Sequence, residues 1–139
     1  WPSYCRTGER DPSRAQTAEM ADIMGTAGLA WYQWKKHGRC AGLPVEAYFN
    51  AARQAYGSVT RPEVFRQLED PITVPASLVE EAWLRDNPGL TGQMLTVTCK
   101  SGHIQEVRIC LTKALEPRAC GADVSRDCRM TNARFEPVR

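Results

Sequence analysis

Gln33, Lys36 and His37 are the side chains of this sequence whose types and spacing suit phosphoryl chemistry. If residues 29–37 are helical, these positions share one face, with Cβ atoms about 5–6 Å apart. An amide, an ammonium and an imidazole would then converge on one spot. Cleavage of RNA by internal transfer needs a base for the 2′-hydroxyl proton, an acid for the leaving 5′-oxygen and a fixed cation for the charge on the phosphorane. His37 and Lys36 can fill two of these roles, since imidazole is the side chain that titrates near neutral pH. The plainer reading is that Lys36 and His37 finish a helix, whose C-terminal dipole favours cations. The chain has 2 histidines. The other, His103, falls in a hairpin turn beside Gly102 and reads as solvated.

These residues need elements to position them. Asp11-Pro12 predicts a helix start, with Ala15, Ala18, Met20, Ile23 and Met24 along its stripe and Gly25 or Gly28 at its end. Leu29 to His37 lacks β-branched residues and reads as a helix stopped by Gly38. Pro44 opens another, with Val45, Tyr48, Phe49, Ala52 and Tyr56 on one stripe and Gly57 after it. Thr60-Arg61-Pro62-Glu63 and Ser77-Leu78-Val79-Glu80 match the capping box and predict short helices near 61–68 and 77–86. Past Asn87-Pro88-Gly89 the period changes to two. Leu95, Val97 and Cys99, then Val107, Ile109 and Leu111, predict an antiparallel hairpin turning at Lys100-Ser101-Gly102-His103. The tail reads as irregular. The expected class is α+β, with several N-terminal helices packed on an antiparallel sheet contributed mainly by the C-terminal half.

The chain has 139 residues, 42% hydrophobic and 24% charged, which fits a single domain over residues 1–139 with a real core and excludes a disordered polypeptide. No apolar run approaches the roughly 20 residues of a bilayer-spanning helix. A formal charge of +2 is too small for tight, sequence-independent binding of a polyanion, though not for brief contact with one. The 6 cysteines, at 5, 40, 99, 110, 120 and 128, show no C-x-x-C spacing. A disulfide framework in an oxidising compartment is therefore expected, with fifteen possible pairings and no zinc site. The chain opens at Trp1 without a basic and apolar leader, so a cleaved signal peptide or an upstream portion is expected.

Gln33-Trp34-Lys35-Lys36-His37-Gly38-Arg39-Cys40 resembles the second active-site segment of the ribonuclease T-two family, secreted and periplasmic acid ribonucleases that include plant S-RNases. That segment usually reads Glu-Trp-x-Lys-His-Gly-x-Cys, and Trp34, Lys36, His37, Gly38 and Cys40 match it. Trp1-Pro2-Ser3-Tyr4-Cys5 is similar to the family's aromatic-Pro-x-aromatic-Cys segment, and Glu106 to Leu111 to its late strand. The resemblance implies a Cys5–Cys40 disulfide and nested Cys99–Cys128 and Cys110–Cys120 bridges. It also implies His37 as general base, Lys36 stabilising the phosphorane, Gln33 bonding a phosphoryl oxygen, and Trp1 stacking on a base. Tyr4 could share that contact. Trp34 reads first as core and second as a base-binding aromatic, Trp83 as core, and Arg39 as a solvated rim residue.

Two departures from the family pattern carry consequences. The first family motif, His-Gly-Leu-Trp-Pro with the other catalytic histidine, is absent from the sequence, so the segment holding the acid histidine is expected either upstream of Trp1 or lost. Gln33 replaces the family's glutamate, and Tyr32 stands where many members have a third histidine. A neutral amide donates a hydrogen bond but cannot raise the pKa of neighbouring cations, which implies lower activity or a changed pH optimum. If Gln33→Glu leaves the pH–rate profile unchanged, that implication is wrong. The expected function is a secreted or periplasmic endoribonuclease, monomeric, without cofactor or metal. It would cleave single-stranded RNA through a 2′,3′-cyclic phosphate and spare DNA, which lacks the attacking hydroxyl. The alternative is a non-catalytic secreted module that binds RNA or a protein surface on the same scaffold.

Overall fold

The structure is a computed structural model and describes residues 2–125 and 127–137. Among the described residues the fold is α+β, with six helices, mostly N-terminal, and a four-stranded sheet in the C-terminal half. The chain divides into two compact units, Trp1–Ser58 and Val59–Arg139.

The first unit is helical: α1 (Arg14–Glu19), α2 (Ala21–Met24), α3 (Ala27–Lys36), a 3-10 turn (Gly38–Cys40) and α4 (Val45–Gly57). The helix expected from Asp11-Pro12 starts instead at Ser13, which forms a reciprocal capping box with Gln16. Met20 interrupts it, and Gly25, at φ 86°, ends the second piece. Thr26 caps α3 through the Leu29 amide at 3.0 Å. Lys35 and Lys36 occupy the last turn, where the helix dipole favours them. Met20, Ala30, Trp34, Val45 and Phe49 form the core, flanked by Ile23, Met24, Tyr48 and Ala52. Outside it, Arg53 reaches both carboxylate oxygens of Asp22 at 2.7 and 3.0 Å.

The second unit contains α5 (Glu63–Arg66), β1 (Ile72–Val74), α6 (Ala76–Asp86), β2 (Leu95–Lys100), β3 (His103–Ile109) and β4 (Ala133–Phe135). Neither expected capping box forms. Pro62 and Pro75 precede α5 and α6, so Ser77 lies inside its helix and neither N-cap makes a side-chain bond. The expected hairpin is present, with Ser101 and Gly102 both at positive φ (51° and 83°) in the manner of a type I′ turn. The strand order is β1-β4-β3-β2. The sheet is mixed rather than antiparallel, because β4 returns beside β3 in the parallel sense, pairing at His103 and Arg134. That arrangement needs a long connection, and the tail expected to be irregular supplies it along with β4.

Helices α5 and α6 of this unit pack on its sheet. Phe65 of α5 and Ala76, Val79 and Ala82 of α6 join Leu90, Leu95, Val97 and Phe135 in one buried cluster. Phe65 and Phe135 stack at 4.6 Å between centroids. Buried Asn87 accepts the Thr60 amide at 2.7 Å and donates to the Thr60 and Trp83 carbonyls, so its burial is satisfied. The bridges are Cys99–Cys128 and Cys110–Cys120, with Cys5–Cys40 in the first unit.

Glu80 on α6 is held above the ordinary carboxylate range by burial and by the negative charges of Asp127 and Glu81. A carboxyl whose folded pKa is raised adds stability at acid pH that is lost as pH rises through the folded value. Glu80→Gln should therefore melt higher than the parent at neutral pH, with the gap closing below about pH 4. Equal melting temperatures at pH 7 would show that Glu80 is not under this strain.

Candidate active site

The site is built around the end of α3. Helical geometry places Gln33 and Lys36 one turn apart, and His37 is the C-cap, its amide donating to the Gln33 carbonyl at 2.8 Å. All three side chains are half-buried. The chain then tightens into the 3-10 turn, where the Cys40 amide donates to the His37 carbonyl at 2.9 Å. This turn requires Gly38. A Cβ there would collide with the Trp34 ring.

The segment before α1 returns to fix this helix end. The Tyr4 amide donates to the Lys36 carbonyl at 2.8 Å, satisfying one of the acceptors that a helix C-terminus leaves open. The Cys5–Cys40 disulfide ties the next residue to the 3-10 turn. Tyr4 adopts φ 54°, a left-handed conformation uncommon for a non-glycine residue, and its side chain is 52% exposed. Lys36 Nζ lies 5.4 Å from the Tyr32 ring centroid, a cation–π contact across one helical turn. Hydrogen bonding between the Tyr4 and Tyr32 hydroxyls holds Tyr4 above the usual tyrosine pKa, whereas the same hydrogen bond and then that of Lys36 hold Tyr32 below it.

Trp34 is the keystone of this unit. It is 0% exposed, packs edge-to-face on Tyr48 at 5.6 Å and donates its indole N–H to Asp11 Oδ1 at 3.0 Å. A fully buried ring offers no face to a base, so the core reading of Trp34 holds and the substrate contact also expected of it is corrected. Arg39 is not a free rim cation either. Its Nη2 reaches both Asp11 oxygens, at 2.8 and 2.9 Å. Asp11 is the residue that the sequence reading missed. Its place before Pro12 suggested a helix cap, and only the three-dimensional return of α3 shows its two partners. Tyr4, Cys5, Arg6, Thr7, Asp11 and Arg39 border an open, mostly polar cleft of about 410 Å³.

The structure thus brings Gln33, Lys36, His37 and Tyr4 to one end of α3. Trp1 lies outside the described residues. His103, expected in the turn, is the first residue of β3. It is exposed, with Nδ1 3.8 Å from Glu136 Oε1. Trp83 is partly buried against the core of the second unit, in keeping with its expected role. No family, curated protein or solved structure matches the chain.

Asp11 is held below the ordinary carboxylate range, first by the Arg39 hydrogen bond and then by the Trp34 indole. A depressed carboxyl contributes stability above its unfolded pKa and loses it as pH falls through the folded value. Asp11→Asn should therefore lower the melting temperature at pH 7 and make the acid limb of the stability curve shallower. An unchanged acid limb would remove Asp11 from the account of how α3 is anchored.

Proposed function

We propose that this chain carries the base and cation of a metal-independent endoribonuclease acting on single-stranded RNA. The observation that supports the reading best is the placement of Lys36 and His37 together at the capped end of α3, beside Gln33 and the exposed Tyr4. The His37 imidazole takes the 2′-hydroxyl proton. The oxygen so freed attacks the adjacent phosphorus, and Lys36 stabilises the phosphorane as the bond to the 5′-oxygen breaks. The products are a 2′,3′-cyclic phosphate and a 5′-hydroxyl end. Gln33 donates a hydrogen bond to a phosphoryl oxygen, and Tyr4 contacts a base. DNA is spared, because the attacking hydroxyl is missing. The leaving 5′-oxygen takes up a proton from solvent as its bond to phosphorus breaks.

Three disulfides fit an oxidising compartment, and among the described residues no helix is long and apolar enough to cross a membrane. The reading adds secretion or export to a periplasm and a monomeric state. One observation favours a second reading, a non-catalytic secreted module that binds RNA or a protein surface: residues 1–58 contain His37 as their one histidine. The test is incubation of the 139-residue chain with single-stranded RNA in EDTA at mildly acidic to neutral pH, with a His37→Ala control. Cyclic phosphate ends are expected, and they should vanish in the control. If the chain does not cut RNA, the catalytic reading fails and the binding module stands.

A further inference from the structure

A groove in the second unit is lined by residues other than those assigned to RNA cleavage. Its origin is the register of the hairpin. The Cys110 amide donates to the Met94 carbonyl at 2.8 Å, which makes Thr96/Arg108 and Thr98/Glu106 the hydrogen-bonded pairs and leaves Leu95/Ile109 and Val97/Val107 between them. Val97 accordingly turns its backbone away from β3. Its carbonyl accepts the Cys128 amide at 2.8 Å, and its amide donates to Asp127 at 3.3 Å.

By the same alternation Val107 and Ile109 turn their N–H and C=O groups to the opposite edge of β3. There β4 pairs only at His103↔Arg134. Among the described residues nothing hydrogen-bonds these groups. An open edge of this kind is a template for another strand.

Beside that edge lies a cavity of about 460 Å³, its apolar lining including Phe65, Trp83, Val107 and Phe135. Its charges are unequally matched. Glu106 is paired with Arg108 at 2.7 Å and Glu136 with Arg134 at 2.6 Å. Arg61 also lines the cavity, yet among the described residues it has no acidic partner, and its Nε is buried without a hydrogen bond. Among the described lining residues Arg61 is the one cation, and a carboxylate in the groove would complement its charge.

We propose that β3 binds an extended segment of a partner protein by strand addition, the segment alternating apolar residues toward the groove with one carboxylate that meets Arg61. Backbone hydrogen bonds to Val107 and Ile109 give the affinity, while the apolar lining and Arg61 give the choice of partner.

The probe is the peptide acetyl-Thr-Val-Thr-Glu-Thr-Val-Thr-amide, added to the full chain, with amide signals followed by NMR and hydrogen exchange. Protection of the Val107 and Ile109 amides is expected, with at least tenfold weaker binding when the central Glu is replaced by Lys. Arg61→Glu should reverse that preference. A peptide N-methylated at alternate residues should not bind, a control that leaves the protein intact. The proposal is overturned if these amides stay unprotected or if affinity ignores the central charge. It is equally overturned if they are protected in concentrated protein alone, because the occupant is then a second copy of this chain.

Discussion

His37→Ala is expected to lower kcat/KM for single-stranded RNA by about 10²–10⁴-fold or more, the range associated with losing a positioned general base. Lys36→Ala should lower it by about 10²–10³-fold, with Lys36→Arg recovering part of the loss, because a fixed charge at the phosphorane is worth that much. The two losses should differ in kind. Added imidazole, which can act as a base, should recover part of the His37→Ala loss and none of the Lys36→Ala loss. The comparison calls for matched melting temperatures, since both residues sit at the anchored end of α3. Wild-type rates in a folded His37→Ala protein would end the catalytic assignment.

The second large effect concerns stability. Trp34→Ala should remove about 3–5 kcal/mol, the usual loss for a buried aromatic side chain. It empties the centre of the Met20, Ala30, Val45 and Phe49 cluster and deprives Asp11 of its indole donor. Gly38→Ala should cost about 1–3 kcal/mol by overpacking against the same ring. The two substitutions share one space, so Gly38→Ala made in the Trp34→Ala background should be much less damaging. Urea titration followed by hydrogen exchange of the α3 and α4 amides measures all three. Strictly additive losses would contradict the contact between Gly38 and Trp34.

The end of α3 was legible from the sequence because its signals are local: helical spacing places Gln33, Lys36 and His37, and Gly38 stops the helix. The disulfide pairing was legible through family resemblance rather than spacing, and all three implied bridges are present. What escaped was nonlocal or very short. β1 and β4 are each three residues long, too brief to show a period, and they exist because each pairs with the other. The helices expected near 61–68 and 77–86 are present, but their caps differ for a local reason. Pro62 and Pro75, which fix φ and lack an N–H to bond, take the N-cap positions in place of Thr60 and Ser77. Asp11 escaped because its partners are 23 and 28 positions away.

The division of the bridges bears on how the chain reaches its native oxidation state. Cys5–Cys40 closes within residues 1–58, and the other two close within 59–139. Six thiols searching together face fifteen pairings, but four face three and two face one. If each unit collapses before its thiols oxidise, the search shrinks accordingly. Oxidative refolding from the reduced chain should then accumulate a one-bridge species carrying Cys5–Cys40 without waiting for the sheet. A disulfide isomerase would accelerate only the phase that sorts Cys99, Cys110, Cys120 and Cys128.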